Sequence, residues 1–268
     1  MLRSKLSAVY VCLLTVSLGL TTGCSVTPVD KTASMSPNTI YSESKEEMGL
    51  GQWEKAIPLL EKLEARAAGT PLAQQAQLDK AYAHFKSGEP AQGIATLERF
   101  MRLHPASPAL DYALYLKGII TFNDDLGMFS SITRQDMSER DQKAAKESFE
   151  AFKELTTRFP DSRYAADARE RMNYIVGSLA MYEVHVARYY YKRGAYLAAI
   201  NRAQIAVADY REVPAIEEAL FLIYKSYDAL GMESLRDDAK RVLEKNFPQS
   251  DYLAKGGKTD TNPWWKVW

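Results

Sequence analysis

The sequence has almost no cysteine, no net charge and no apolar run long enough to cross a membrane. Its two cysteines, Cys12 and Cys24, lie near the N-terminus, so the rest of the chain has no disulfide framework, zinc–thiolate cluster or catalytic thiol. The 34 basic and 34 acidic side chains cancel, which excludes the basic surplus typical of nucleic-acid binding. The apolar stretch Leu6–Leu20 is shorter than the about 20 residues that span a bilayer.

Motifs that carry catalysis or bind metals are also missing. The sequence contains no G-x-x-x-x-G-K-[ST], G-x-S-x-G or H-E-x-x-H string. His84, His104 and His185 are far apart, and none has a second histidine or a cysteine at metal-ligand spacing. The sequence therefore predicts no enzymatic activity, no catalytic residue, no metal site and no cofactor.

The N-terminus has the pattern of an export signal. Two basic residues precede the apolar stretch, and Leu20-Thr-Thr-Gly-Cys24 resembles a bacterial lipobox, with its leucine one position further from the cysteine than usual. We predict a signal peptide over residues 1–23, a lipid on Cys24 and a flexible Ser/Thr/Pro-rich tether over residues 24–37. Ser25 after the cysteine favours the outer membrane. Soluble export after cleavage at a nearby small residue remains the alternative.

Helix breakers in the body of the chain recur at a fixed interval. Pro71 and Pro105 are 34 residues apart, as are Pro214 and Pro248. The string Gly51-Gln-Trp-Glu-Lys-Ala-Ile57 returns as Gly194-Ala-Tyr-Leu-Ala-Ala-Ile200, and a third copy at Gly88 has glycine in place of the alanine. A 34-residue period of helix, turn glycine, helix and closing proline resembles the tetratricopeptide repeat (TPR). We predict an all-α superhelical stack of about five TPR-like helical hairpins, with about ten helices.

The repeats divide the body into two parts. Repeats 1 and 2 are predicted over residues 38–106, and repeats 3 to 5, which carry insertions, over residues 107–252. The first insertion, Asn123–Asp141, is predicted to be a long loop; the second, Tyr164–Arg193, is either one long helix or two short ones. The tail, residues 253–268, contains three tryptophans and either folds back over the last repeat or docks onto another subunit or the membrane.

Several short strings resemble the BamD (ComL/YfiO) family of lipoproteins. They are Ile40-Tyr41, Gly51-Gln-Trp53, Glu98-Arg-Phe-Met-Arg-Leu103, Asp111-Tyr-Ala-Leu-Tyr115, Arg193-Gly-Ala195 and Asn201-Arg202. The resemblance implies a lipid-anchored scaffold on the periplasmic face of the outer membrane, without enzymatic activity. It also implies three partners: a POTRA domain of the barrel subunit BamA, the lipoprotein BamC and the C-terminal segments of unfolded outer-membrane proteins.

The resemblance also suggests which residues bind these partners. The family's arginine at the position of Arg202 faces the barrel subunit, and Arg188 and Arg193 flank a tyrosine run of the kind found at interfaces. Arg99 and Arg102 are predicted to share one helix face, where they form either a solvated basic stripe or a grip on a terminal carboxylate. Three tyrosines, Tyr41, Tyr112 and Tyr115, have two possible roles. They either line a groove for the substrate or an accessory subunit, or they pack in the core.

Two other functions fit the pattern less well. A repeat lipoprotein that organises division or peptidoglycan synthesis often has an N-terminal coiled coil, and the short tether after Cys24 shows no heptads. An enzyme that carries a repeat module for docking needs a catalytic domain, and the repeats leave little chain for one.

Overall fold

The computed structural model describes residues 32–124 and 142–255, and these residues form eleven helices and no strand. Cys24, the signal peptide, most of the 123–141 segment and the tryptophans of the tail lie outside the described residues. The helices are α1 (Pro37–Gly49), α2 (Trp53–Arg66), α3 (Pro71–Lys86), α4 (Pro90–Leu103), α5 (Leu110–Asp124), α6 (Lys143–Arg158), α7 (Ala165–Lys192), α8 (Tyr196–Asp209), α9 (Ala215–Ala229), α10 (Glu233–Asn246) and α11 (Asp251–Lys255).

The first ten helices pair into five hairpins, which confirms the predicted all-α stack of TPR-like repeats. Odd-numbered helices α1 to α9 are the first helices of the hairpins, and even-numbered helices α2 to α10 are the second. Each helix from α1 to α9 packs on the next one, and the first helices α7 and α9 also contact each other directly; the short helix α11 contacts α9. The segment at Tyr164–Arg193 is one long helix, α7, so that of the two alternatives the undivided helix is correct.

Glycine makes the sharp turns between paired helices in four of the hairpins. The turn residues have φ angles of +73°, +84°, +74° and +68°, in a region that residues with a side chain rarely adopt. They are Gly51, Gly88, Gly194 and Gly231. In the third hairpin the connection between α5 and α6 lies outside the described residues. These two helices pack closely at Gly118 of α5, where a Cβ atom would lie only 2.5 Å from Phe152 Cε1 of α6.

Small residues in the second helices let the hairpins close. Ala56 and Ala199, which the repeat comparison aligns, are fully buried. Gly93 takes the same place in the second hairpin, and a Cβ atom there would be 3.0 Å from the Ala81 carbonyl oxygen. A row of polar and aromatic side chains lies on the first helices α1, α3, α5 and α7, and contacts join its members from one helix to the next. We call this row the inner face; it consists of Tyr41, Lys45, Asp79, Tyr112, Tyr115, Asp167 and Arg171.

The described end of the predicted tether contacts the first hairpin. Thr32 is buried, and the Arg66 guanidinium donates hydrogen bonds to the carbonyl oxygens of Thr32 (2.5 Å) and Met35 (3.3 Å). Ser36 then caps α1 by accepting a hydrogen bond from the Thr39 amide. The segment from Thr32 onward is therefore part of the folded body.

Candidate partner-binding surfaces

The inner face begins with a buried carboxylate on α3. Asp79 lies 3.5 Å from the Lys45 ammonium of α1 and accepts a hydrogen bond of 3.1 Å from the Gln75 amide. Burial and the Asp79 carboxylate, to which Tyr41 is hydrogen-bonded, raise the pKa of Tyr41 to about 12. Burial, the same carboxylate and neighbouring tyrosines raise the pKa of Tyr112 to about 12. One carboxylate therefore links side chains from three successive first helices.

Aromatic rings continue the inner face across the third hairpin. The Tyr115 and Tyr164 rings stack with centroids 4.7 Å apart and an interplanar angle of 19°. The Tyr112 ring is tilted against the Tyr164 ring, with centroids 5.6 Å apart, and the Arg163 guanidinium lies 5.0 Å from the centre of the Tyr164 ring. Tyr41, Tyr112 and Tyr115 are all half-buried, so each both packs and presents a surface.

A second carboxylate ends this row at the start of α7. Asp167 accepts hydrogen bonds from the Tyr115 hydroxyl (2.7 Å) and from Arg171 Nε (2.6 Å). The hydrogen bond from Arg171 outweighs burial and holds the pKa of Asp167 below its ordinary value. Burial and the hydrogen bond to Asp167 raise the pKa of Tyr115. The inner face thus offers ring surfaces between two carboxylates, Asp79 and Asp167, and the cations that pair with them.

The arginines predicted on α4 lie on a different surface from the tyrosines. Arg99 forms an ion pair with Glu64 of α2, whose carboxylate also binds Lys80 at 2.8 Å. Burial raises the pKa of Glu64, but the hydrogen bonds from Lys80 and Gln77 outweigh it and leave the pKa below its ordinary value. Arg99 is therefore part of a network between hairpins 1 and 2.

Arg102 lies at the end of a groove between the second helices α4 and α6. The groove has a volume of about 770 Å³ and is lined mainly by charged side chains, which include Glu98, Lys117 and Glu150. Arg102 is exposed and lines a smaller cavity at its end with Glu154 and Arg158. Although Arg99 and Arg102 are three residues apart, they face different neighbours.

The arginines predicted on the C-terminal repeats are held by glutamates. Arg188 of α7 lies 2.6 Å from the buried Glu218 of α9, which also accepts a 3.0 Å hydrogen bond from the Tyr252 hydroxyl of α11. Burial and the charge of Glu218 raise the pKa of Tyr252. Three helices, α7, α9 and α11, are thus joined through one carboxylate.

Arg202 and Arg193 lie elsewhere on the same two repeats. Arg202 of α8 pairs with Glu183 of α7 at 3.0 Å, and its side chain is 39% exposed. Its hydrogen bond to Glu183 raises the pKa of Arg202. Arg193 ends α7 and stacks over the exposed ring of Tyr189, with 5.2 Å between the guanidinium and the ring centre. Arg193 and Tyr189 are both exposed, while Tyr191 packs into the core.

Among the described residues there is neither a metal-binding cluster nor a membrane-spanning helix. Within residues 32–124 and 142–255, no three His, Cys, Asp or Glu side chains are grouped so that they would hold a metal ion. In the same ranges no helix is both long and apolar enough to cross a bilayer.

Comparison with known proteins decides the family. The family of outer membrane lipoproteins called YfiO matches residues 33–243 of the chain. An outer membrane protein assembly factor BamD of Neisseria meningitidis is 45% identical over 262 residues, which cover 96% of this chain and 98% of that protein. The chain belongs to the BamD family. Further BamD proteins are 34% identical in Vibrio cholerae, over 86% of the chain, and 32% identical in Xylella fastidiosa, over 91%. The covered shares of these two relatives are 95% and 83%.

Membership in the BamD family confirms the resemblance inferred from the strings, but several residues of the surfaces were not predicted. Tyr164 and Tyr252 occupy the same place in two copies of a Pro-x-Ser-x-Tyr string that follows a second helix. Asp79 is 34 residues, one repeat period, from its partner Lys45, and Glu218 is 34 residues from its partner Tyr252. The period was therefore the signal for these pairs, since it aligns polar side chains of successive first helices.

Proposed function

We propose that the chain is a non-enzymatic scaffold lipoprotein of the outer-membrane β-barrel assembly complex. It supports the folding and insertion of outer-membrane proteins by binding the barrel subunit and unfolded substrates. The observation that carries the proposal is the presence of two separate polar surfaces on one stack of hairpins, the inner face and the Arg188–Arg202 region. The description of its relatives as outer membrane protein assembly factors supports the same role.

The scaffold is held at the periplasmic face of the outer membrane by lipid on Cys24. The family's description as outer membrane lipoproteins supports this location. More than one acyl chain gives stable attachment, so the protein needs no membrane-spanning helix.

The inner face is proposed to receive the C-terminal segment of an unfolded outer-membrane protein. Tyr112, Tyr115 and Tyr164 offer ring surfaces, and Lys45 and Arg171 offer cations for carboxylates of the segment. Tyrosine and arginine bind partners well because they combine large contact area with hydrogen bonding. Tyr41 extends the same row to the first hairpin.

The groove beside Arg102 is proposed to bind the accessory lipoprotein, a relative of BamC. Its lining of alternating acids and bases suits an extended polar segment, and Arg99 lies on the neighbouring side of α4. This assignment gives Arg99 and Arg102 a different partner from the tyrosines.

The C-terminal repeats are proposed to bind a POTRA domain of the BamA-like barrel subunit. Arg188, Arg193 and Arg202 lie on α7 and α8, and Arg193 and Arg202 keep exposed guanidinium surface. Their intramolecular partners orient them before the subunit arrives, which lowers the entropy lost on binding.

The test is co-purification of the full chain with the periplasmic POTRA domains of the barrel subunit. We expect wild type to bind and Arg202→Glu to lose at least tenfold in affinity, since truncating or reversing an interfacial charge costs about 2 kcal/mol or more. A double variant, Arg202→Glu with Glu183→Arg, restores the internal pair while keeping the outer charge reversed. We expect this variant to remain defective.

Controls separate a contact from a loss of structure. Arg241→Glu reverses a far more exposed charge on α10 and is expected to bind like wild type. Rescue by the double variant would mean that Arg202 acts only by holding α8 to α7. Failure of wild type itself to bind the POTRA domains would refute the scaffold proposal and favour a role in division or peptidoglycan synthesis.

A further inference from the structure

The second helices of the last two hairpins, α8 and α10, flank an apolar groove. One part has a volume of about 490 Å³ and is lined by residues that include Ile216 and Phe247. The other has a volume of about 410 Å³ and includes Leu235. Residues common to both parts are Val207, Leu220 and Val242, so the groove is continuous along α10.

This groove differs in chemistry from the corresponding groove between α4 and α6. Lysines, glutamates and an arginine line the α4–α6 groove, which water solvates well. The α8–α10 groove instead leaves Val242 43% exposed and Leu235 45% exposed. Stacked repeats need a polar outer face on the last repeat, and exposed apolar patches mark binding sites. The α8–α10 groove therefore lacks a cover among the described residues.

The chain itself continues from the edge of this groove. Leu253 of α11 packs against the cluster formed by Leu220, Phe221 and Leu243, and Leu220 is also part of the groove. Thirteen residues follow Lys255, and their last five include Trp264, Trp265 and Trp268. Nine residues from Lys255 to Trp264 reach up to about 30 Å when extended. The groove follows α10 for about 16 Å, at 1.5 Å per residue.

We propose that residues 256–268 cover the α8–α10 groove, with tryptophans of the tail packed against Val207, Leu220 and Val242. A tryptophan side chain buries roughly 150–250 Å² of surface, so two or three of them suit a groove of this size. The structure buries two residues of α10, Ala239 and Leu243. The docked tail would supply the remaining apolar contacts of this helix and complete the last repeat. The proposal is independent of the partners assigned above.

Tryptophan fluorescence tests the proposal because of where the tryptophans lie. Three of the four are in the tail, and the fourth, Trp53, packs against Tyr82 in the first two hairpins. In the full chain with Trp53→Phe, emission therefore reports on the tail alone. We expect blue-shifted emission and weak quenching by acrylamide. Adding Val242→Glu is expected to shift the emission to the red and restore quenching, since it puts a charge in the groove.

A matched variant shows whether the groove is responsible. Leu103→Glu adds the same charge at a 58% exposed leucine on α4 and is expected to leave the emission unchanged. Water-exposed emission in the full chain would overturn the proposal, as would a blue shift that Val242→Glu leaves intact. A blue shift that grows with protein concentration, or that needs phospholipid vesicles, would assign the tail to a second copy or to a membrane and would also overturn it.

Hydrogen exchange gives a second readout that does not depend on a groove variant. Replacing Trp264, Trp265 and Trp268 by serine alters only the tail. Docking predicts that amides of α10 then exchange faster than in the wild-type chain, while amides of α4 keep their rates. Unchanged exchange in α10 would overturn the proposal.

Discussion

Two buried carboxylates, one in each half of the molecule, join neighbouring first helices in different ways. In the N-terminal half Asp79 meets a lysine at 3.5 Å, and the Lys45 side chain is 46% exposed. In the C-terminal half Glu218 meets an arginine at 2.6 Å, and the Arg188 side chain is 29% exposed. Both carboxylates also meet a tyrosine hydroxyl. The C-terminal junction is therefore closed and the N-terminal junction is open to water.

The difference assigns different mechanical roles to the two halves. A guanidinium holds a carboxylate in a fixed geometry, whereas an ammonium on a long exposed chain moves easily to another partner. Lys45 and Asp79 can therefore rearrange around a bound segment, while Arg188, Glu218 and Tyr252 keep α7, α9 and α11 in one arrangement. This difference supports the proposal that the N-terminal surface receives varied substrates and that the C-terminal surface holds one subunit.

Glu218→Gln is expected to have the largest effect, because it disrupts the closed C-terminal junction. The change removes the charge that compensates Arg188 and weakens the hydrogen bond from Tyr252, so we expect a loss of about 3 kcal/mol in the free energy of unfolding. For a chain of this size the midpoint of thermal unfolding falls by roughly 6–12 °C. Circular dichroism during heating measures it. Glu217→Gln, on the adjacent and half-buried residue, is expected to change stability by less than about 0.5 kcal/mol.

Asp79→Asn makes the corresponding change in the N-terminal half and should have a smaller effect. Asparagine still accepts a hydrogen bond from Gln75, and the Lys45 ammonium is already largely hydrated, so the expected loss is about 1 kcal/mol. Urea unfolding should show a lower midpoint with an unchanged slope. Equal losses for Asp79→Asn and Glu218→Gln would remove the distinction between an open and a closed junction.

The periodic residues made the fold predictable. The 34-residue period also aligns Asp79 with Lys45 and Glu218 with Tyr252, but it does not predict that the two carboxylates are buried. Proline at 34-residue intervals and glycine at the turns act locally, because each fixes the backbone at its own position. Asp79 stands between Leu78 and Lys80, and Glu218 directly precedes the apolar run Ala219–Ile223; neither context by itself identifies a buried carboxylate. Their burial depends on side chains that approach from the neighbouring hairpins, and Lys45, Arg188 and Tyr252 are 30 to 34 residues away.

The surroundings of the predicted site residues also depend on neighbouring hairpins. A spacing of three places Arg99 and Arg102 on one side of α4, but the second hairpin lies between two others, so that each arginine meets a different hairpin. Tyr41, Tyr112 and Tyr115 each pack against a core cluster and also keep some exposed surface. Tertiary neighbours, not helical spacing, decide these roles.

The alkaline titration of Tyr41 and Tyr112 probes the N-terminal junction most directly, although it changes stability least at neutral pH. Burial and the Asp79 charge raise the pKa of both hydroxyls to about 12, from an unfolded value of about 10. Stability from the neutral hydroxyls is thus complete below pH 10 and is lost as the pH rises toward 12.

Tyrosinate absorbance measures this titration, and Tyr41→Phe and Tyr112→Phe identify the two late steps. In Asp79→Asn the negative charge is gone, so both pKa values are expected to move toward 10, whereas Glu218→Gln is expected to lower the raised pKa of Tyr252 alone. If Asp79→Asn leaves the late steps in place, burial alone holds these hydroxyls neutral. Asp79 would then act only on Lys45 and Gln75, and it would no longer link the side chains of α1, α3 and α5.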